Sequence, residues 1–447
     1  MKVLKFGGTS VGTAESINNV RTIIESVPGS KMIVLSAMSG VTNYLVTITE
    51  KLEAGNREQV EVLNTALQIK HLELLDKLIP ASERNSRVRN GLNKLFDEFN
   101  ALLSNEFSEN NANRILTFGE TMLTYLFSEY LAFCEINNKL LDAKRFMYVG
   151  NLENPDTDKV AIKIAPLLDS GESEMIYITQ GFVRIDKFNR VSTLKRGGSD
   201  YTSTILGAAL NAEEVQIWTD IDGFHNNDPR YVEDTHPLAN LTFEEAAELA
   251  YFGAKILHPQ TISPVIDKNI PIYLKNTFTP LLPGTKISSE INESGLKAIS
   301  AKDGITAIKI KSNRMLMAHG FLKKIFEIFD NLETAIDMIT TSEIAISLTI
   351  DDTKNLDLIL DQLNGYGDIT VEMDHSIICI VGEGLIKDPN TFKLFEILNE
   401  IPVRMISYGG SLNNVSLLVA TENKVAALKA LHKTLFIQKE RASVPSV

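Results

Sequence analysis

Met1-Lys2-Val3-Leu4-Lys5-Phe6-Gly7-Gly8-Thr9-Ser10 opens the chain, and its reading decides the fold. Residues 1–5 read as a short strand that runs straight into paired glycines and hydroxyl side chains. Helical sequence follows from about Thr13. A lysine at a strand end, then two glycines, then a helix is what an anion-binding turn requires. Glycines let backbone N–H groups approach a phosphate closely, and a helix N-terminus adds partial positive charge. The lysine supplies a full one. No GxxxxGK[ST] occurs in the chain, so the pattern is not the Walker loop. Taken alone, the same string also describes a tight turn.

Outward from this turn, short apolar runs alternate with amphipathic segments as far as about Lys286. Strands are expected at Val3 (VLKF), Met32 (MIVLS), Met175 (MIYITQGF), Val215 (VQIWTD) and Ile270 (IPIYLKN). Several are continuously apolar, as buried parallel strands are. With helices between them, they predict an α/β fold: a mostly parallel sheet covered by helices on both faces. Residues 46–112 lack strand-like runs, and apolar residues recur at helical spacing around Val60, Leu63, Leu67 and His71. They are expected to form a helical insertion. Pro280, Pro283 and Gly284 then punctuate the chain, and a hinge or linker is expected there.

Downstream the chain repeats itself. Phe326-Glu327-Ile328 returns as Phe395-Glu396-Ile397, and Ile346-Ser347-Leu348 returns as Val415-Ser416-Leu417 at the same interval. Each copy reads strand, helix, strand, loop, strand. Two small α+β modules of the ferredoxin-like, split-βαβ type are expected, at about 300–370 and 371–440, after a first domain over 1–286.

Further strings carry chemistry. Lys195-Arg196-Gly197-Gly198-Ser199-Asp200 again places two glycines before a helix. Arg196 offers a planar fork for a carboxylate, and Ser199 and Asp200 stand where helix caps stand. Thr219 and Asp220 end a strand, where open α/β sheets bind ligands, and Asp228-Pro229-Arg230 follows soon after. Phe252-Gly253-Ala254-Lys255-Ile256 carries a lysine that is a surface residue if taken alone. Ser36 to Asn43 is rich in hydroxyls and turn residues. Glu120, at the start of an apolar helix, is either an ordinary N-terminal charge or a partner for a substrate ammonium group.

Bulk properties exclude several classes. A net charge of −13 argues against a nucleic-acid surface as the main function. Two cysteines, Cys134 and Cys379, cannot build a disulfide framework or a cysteine metal site. No apolar stretch approaches the roughly 20 residues that span a bilayer, and the start of the chain has no secretory pattern. A cytoplasmic protein is expected. There is no HExxH, no GxSxG, and no GxGxxG in a βαβ setting.

Together, KFGGTSV at Lys5, SAMSGVTN at Ser36, TFGE at Thr117, ITQGF at Ile178, RGGSDYT at Arg196, WTDIDG at Trp218, DPR at Asp228 and FGAKILHP at Phe252 resemble the aspartate kinases of the amino-acid kinase superfamily, in that family's order. The C-terminal repeat resembles the family's paired ACT domains. The resemblance implies phosphoryl transfer from ATP, with Mg²⁺, to the side-chain carboxylate of aspartate. The product, 4-phospho-aspartate, would begin the lysine, methionine and threonine pathway. It implies catalytic roles for Lys5 and Asp200. Lys5, Phe6, Gly7, Gly8, Thr219, Asp220, His225, Arg230, Lys255 and Ile256 would hold ATP, with Gly7 and Gly8 donating N–H groups. Ser36, Thr42, Glu120, Arg196 and Ser199 would hold aspartate. His225 lies in Phe224-His225-Asn226-Asn227, where many members carry Tyr or Val. The chemistry suits the residue set. A carboxylate of pKa about 3.9 is already ionised at neutral pH and needs no general base. The difficulty is bringing an anion to a polyanion, which positioning and positive charge solve.

In the first module, Met315, Phe321, Leu322, Asp337, Ser342 and Glu343 resemble the effector site of lysine-sensitive members. Asp337 or Glu343 would take the effector's ammonium, and the backbone around Gly320 its carboxylate. The resemblance also implies feedback inhibition by an end-product amino acid such as lysine, a homodimer or homotetramer, and a monofunctional chain.

Overall fold

A computed structural model describes residues 1–169, 174–195, 197–253, 257–291, 294–312, 315 and 319–437. These group into two compact units. One comprises Met1–Phe224, Ala239–Phe243 and Leu257–Glu290; the other comprises His225–Leu238, Glu244–Ile256 and Ile291–Val447.

The first unit is built on an eight-stranded sheet. Its strands are β1 (Lys2–Phe6), β2 (Lys31–Leu35), β3 (Asn138–Leu141), β4 (Ile176–Gln180), β7 (Val215–Thr219), β8 (Asn240–Thr242), β9 (Ile272–Asn276) and β10 (Thr285–Ser288), with β5 (Val183–Ile185) and β6 (Val191–Thr193) forming a separate hairpin. The order is β3-β4-β2-β1-β7-β9-β10-β8, and every neighbouring pair is parallel except β9 with β10. The central strands are mostly apolar because both faces are covered, with polar residues such as Lys5 and Gln180 near their C-terminal ends. Val3, Leu4, Phe6, Met32, Ile33, Val34 and Leu35 are all fully buried. The five strands expected from their apolar runs are present, and the mostly parallel α/β fold is as read.

Helix α1 (Ala14–Ser26) begins as the sequence indicates. Thr13 caps it through a reciprocal capping box with Ser16. Four helices follow β2: α2 (Val41–Glu53), α3 (Arg57–Leu78), α4 (Glu83–Ser104) and α5 (Glu109–Leu116). Their apolar faces join one cluster with α1, α6 (Phe118–Phe133) and the sheet. His71, on the apolar face of α3, is buried. Its Nδ1 meets the Leu67 carbonyl at 2.8 Å, and its ring lies edge-on to Phe96. Helices α7 (Thr157–Ile164), α8 (Gly198–Ala209) and α10 (Ser263–Ile266) complete this unit.

The Pro280–Gly284 stretch is not a hinge. It is the turn between β9 and β10, and the sheet continues through Ser288. Prolines and a glycine mark a reversal of chain direction as readily as a boundary.

The second unit carries a six-stranded antiparallel sheet. Its strands are β11 (Gly295–Lys311), β12 (Ile339–Thr341), β13 (Ala345–Ile350), β14 (Asp368–Glu383), β15 (Val403–Tyr408) and β16 (Asn414–Ala420), in the order β12-β13-β11-β14-β16-β15. Its helices are α9 (Phe243–Tyr251, of which all but Phe243 falls in this unit), α11 (Phe321–Asn331), α12 (Leu356–Leu363), α13 (Lys393–Ile397) and α14 (Lys424–His432). The repeated motifs occupy matching places: Ile346 and Leu348 on β13, Val415 and Leu417 on β16, all fully buried. Two apolar clusters result. One gathers Ile308, Ile310, α11, β13 and α12; the other gathers Ile299, Ile378, Ile380, β16 and α14. Both draw on the long strand β11, whose register shifts between Lys302 and Ala307. The second cluster is therefore not contiguous in sequence. It takes Ile299 from upstream of the first.

Candidate active site

Lys5 sits near the C-terminal end of β1, aligned with Val34 of β2 and Ile217 of β7. The strand's alternation sends Phe6 to the opposite face, where its ring stacks on Trp218 with centroids 6.0 Å apart. Lys5 Nζ lies 2.6 Å from Oδ1 of Asp200, and both side chains are largely buried. Asp200 is not the cap of α8. Gly197, in the left-handed region at φ 70°, precedes the helix, and no side chain caps it. Ser199 and Asp200 instead fall within the first turn, which frees the Asp200 carboxylate to reach β1.

These residues line an open cavity of about 390 Å³ together with Ser36, Thr42, Glu120 and Ser199. It lies beyond the C-terminal ends of β1, β2 and β4, the edge where α/β sheets bind ligands. The loop after β2 is zipped to the loop after β1. Ser36 N–H donates to the Phe6 carbonyl at 3.2 Å, and Ser39 N–H donates to the Gly8 carbonyl at 3.1 Å. That approach makes a side chain at Gly8 tight, because a Cβ would meet the Ala37 carbonyl oxygen at 3.0 Å.

Glu120 is the third residue of α6 and is buried. Its Oε1 accepts the Ala37 N–H at 3.2 Å, while Oε2 is buried with no hydrogen-bond partner. Burial pushes its pKa up to about 8, against the smaller opposing effect of backbone N–H bonds. A carboxyl group held dry with one oxygen unmet keeps its proton while the site is empty and ionises when a cation arrives beside it. Behind it, Gln180 at the end of β4 donates to Thr124 Oγ1 at 2.8 Å, and Thr124 donates to the Glu120 carbonyl at 2.8 Å. Glu120 is thereby tied to the sheet.

The structure thus brings Lys5, Ser36, Thr42, Glu120, Ser199 and Asp200 around one cavity, and it adds two residues that sequence reasoning left unassigned. Phe182 and Lys195 line it as well, both in the left-handed region, at φ 70° and 61°. Non-glycine residues rarely adopt that conformation, so nothing in the sequence signals it.

The nucleotide expectations divide. Gly7 does not offer its N–H to a phosphate: it donates to the Trp218 carbonyl at 3.1 Å, holding β1 to β7. The Phe6 side chain is committed to the core. Thr219 Oγ1 donates to Asp220 Oδ1 at 3.1 Å, and Asp220 is exposed at the end of β7. His225 and Arg230 belong to the second unit. His225 Nδ1 lies 3.2 Å from Thr235 Oγ1. Arg230 grips Asp228 in a fork, at 2.9 Å and 2.6 Å, and its guanidinium covers the Tyr231 ring. Burial opposes the ionisation of Asp228, but Arg230 outweighs it and holds that carboxyl below its usual range. Arg196, Lys255 and Ile256 lie outside the described residues.

Of the effector residues, Met315 packs against the first apolar cluster of the second unit. The Phe321 ring is buried edge-on to Tyr366, whereas Leu322, Ser342 and Glu343 are exposed. Asp337 already has company: its Oδ1 accepts from Lys302 Nζ and from Tyr251 Oη, each at 2.8 Å. Among the described residues, no group of three or more His, Cys, Asp or Glu side chains is arranged to hold a metal, and no helix is long and apolar enough to cross a membrane.

The sequence profile of the amino acid kinase family matches residues 1–276, which makes this chain an amino acid kinase, and the mostly parallel sheet with a lysine–aspartate pair beside a cavity at its C-terminal edge suits that class. An ACT domain profile matches residues 378–435. Within that class the chain belongs to the aspartokinase family. It is 32% identical to the lysine-sensitive aspartokinase 3 of Escherichia coli K12, over 97% of this chain and 99% of that one. It is 34% identical to the chloroplastic aspartokinase 3 of Arabidopsis thaliana, over 97% of this chain and 81% of that one. The crystal structure of E. coli aspartokinase III with aspartate and ADP superposes with a TM-score of 0.84 at 31% identity, covering 98% of this chain and 100% of that one.

Proposed function

We propose that the cavity around Lys5 is where the γ-phosphoryl group of ATP passes to the side-chain carboxylate of L-aspartate, giving 4-phospho-L-aspartate. The observation that carries this reading is the Lys5–Asp200 contact at 2.6 Å beside the half-satisfied carboxylate of Glu120. Glu120 takes the substrate's ammonium group. Ser36, Thr42, Ser199 and Arg196 hold its carboxylates. The acceptor is ionised at neutral pH and needs no base, so the protein's task is alignment and charge. Lys5 stabilises the phosphoryl group in transit, assisted by the Gly8 N–H, and Asp200 fixes the position of the Lys5 ammonium. Thr219, Asp220, His225, Arg230, Lys255 and Ile256 hold the nucleotide. Magnesium would be held by the ATP phosphates with Asp200 as the available carboxylate and would help to neutralise the phosphate charge.

The same reading assigns residues 1–286 to the kinase domain, with a helical insertion over 46–112. It assigns about 300–370 and 371–440 to two ACT modules, which bind lysine as inhibitor through Met315, Phe321, Leu322, Asp337, Ser342 and Glu343. The relative that is 32% identical over nearly its whole length is lysine-sensitive, and another solved E. coli aspartokinase III structure, with a TM-score of 0.80, holds lysine and aspartate. A homodimer or homotetramer in the cytoplasm completes the reading. A substrate panel tests it: L-aspartate is phosphorylated, while L-glutamate and N-acetyl-L-glutamate are not. A preference for the acetylated substrate would remove the role given to Glu120.

A further inference from the structure

Asp337 stands just before β12, and its side chain is fully buried. Its Oδ1 accepts two hydrogen bonds, from the Lys302 ammonium and the Tyr251 hydroxyl, each at 2.8 Å. Its Oδ2 is buried with no partner. Lys302 lies where β11 shifts register, and its ammonium is shared. It is also 2.8 Å from Oδ2 of Asp351, and it sits 4.3 Å from the centre of the Tyr251 ring. One cation therefore serves two carboxylates, and one carboxylate oxygen remains unmet. Asp351 is exposed to water, but Asp337 is buried, and there a carboxylate oxygen without a hydrogen-bond partner is an unfinished arrangement.

We infer that Lys302 and Tyr251 belong to the effector site as the protein's own occupants of the position that an amino-acid effector's ammonium group takes at Asp337. The inference rests on the proposed role of Asp337 as the effector's acidic partner. An arriving ammonium competes with Lys302, which has Asp351 ready to receive it. The Tyr251 hydroxyl must then yield or share its acceptor. Tyr251 is the last residue of α9, and four residues further along the sequence is Lys255, which the proposed function gives to the nucleotide. Occupation of Asp337 is in this way felt by the segment that carries a nucleotide ligand. Lys302 holds both carboxylates while the site is empty and would keep Asp351 alone once an effector's ammonium takes Asp337, so the effector exchanges one arrangement for the other.

The test uses the full chain and L-lysine, with two readouts: the dissociation constant by calorimetry and the inhibition of aspartate-dependent phosphoryl transfer. Lys302→Met removes the competitor, and lysine is expected to bind about 10-fold more tightly. Lys302→Arg restores a resident cation and is expected to return the affinity to within about 3-fold of the wild type, so a poorly folded Met variant does not leave the matter open. Tyr251→Phe is expected to keep lysine affinity within about 3-fold but to leave at least about twice the wild-type residual activity at saturating lysine. Unchanged affinity in Lys302→Met, or undiminished inhibition in Tyr251→Phe, overturns the inference. Asp337→Asn separates the two layers. If it abolishes lysine binding while the other variants behave as wild type, only the resident-occupant inference falls. If it binds lysine normally, or if the wild type binds none, the effector reading falls and the inference with it.

Discussion

The ammonium of Lys5 lies 2.6 Å from the carboxylate of Asp200, joining the end of strand β1 to the first turn of helix α8. The pair does not close off the cavity it borders. It leaves the lysine fixed in place on the wall of the cavity, which is how preorganised charge serves a reaction with an anionic nucleophile. Asp200→Asn is expected to lower kcat by about 10²-fold, because the lysine is no longer held. Steady-state kinetics check it, and a change confined to the KM for ATP would show that Asp200 only helps to bind the nucleotide.

Glu120→Gln removes the negative charge offered to the substrate ammonium. The KM for aspartate is expected to rise about 10- to 100-fold, the loss of a charge-assisted contact in a dry site, while the KM for ATP stays close to its wild-type value. Initial rates over a range of aspartate concentrations measure this.

The same residue gives a pH signature. Its pKa rises from 4.5 to about 8 on folding, so between those values the native state holds more protons than the unfolded chain. Its contribution to stability is therefore fully present below pH 4.5 and is lost as pH rises through 8. Denaturant titrations at pH 5, 7 and 9 are expected to show a fall that is smaller in Glu120→Gln. Aspartate binding has the opposite slope, tightening as Glu120 ionises.

His71 titrates the other way. Burial lowers its pKa to about 4, outweighing the bond to Leu67, so between 6.5 and 4 the unfolded chain binds more protons. Its contribution is present above 6.5 and is lost as pH falls through 4. With Nε2 buried and unpartnered, His71→Leu is expected to cost little at pH 7.5 and to weaken the loss of stability at pH 5. Urea midpoints at the two pH values measure the difference.

Gly8→Ala places a methyl group 3.0 Å from the Ala37 carbonyl oxygen and 3.3 Å from the Ser39 nitrogen. Both neighbours are backbone, so the loops must separate. A stability loss of about 1–3 kcal/mol is expected, accompanied by a fall in kcat. Thermal melting and initial rates test it.

The sheet was legible because its inner strands are apolar on both faces, from Val3-Leu4 through Met32 to Leu35. The edge strands β3 and β8 were not, being short and half polar, and β10 was hidden by the turn residues before it. The site was legible as strings but not as contacts. The sequence places Lys5 and Asp200 in separate motifs, and only the parallel alignment of β1 with β7 and the seating of α8 bring them together. Gly7 looked like a phosphate donor, yet its N–H is used to hold Trp218, a register effect that no local pattern carries. Asp337 was legible as an acid, but its partner Lys302 was not, because that pairing depends on the register shift in β11.

The most direct measurement is ATP- and aspartate-dependent acyl phosphate formation, trapped with hydroxylamine as the hydroxamate, in the wild type and in Lys5→Ala. The wild type should form β-aspartyl hydroxamate in step with ADP release. Lys5→Ala should lose at least about 10²-fold in kcat while melting cooperatively and still binding aspartate. Hydroxamate formation at the wild-type rate in a folded Lys5→Ala protein would contradict the role given to Lys5 at the centre of the site.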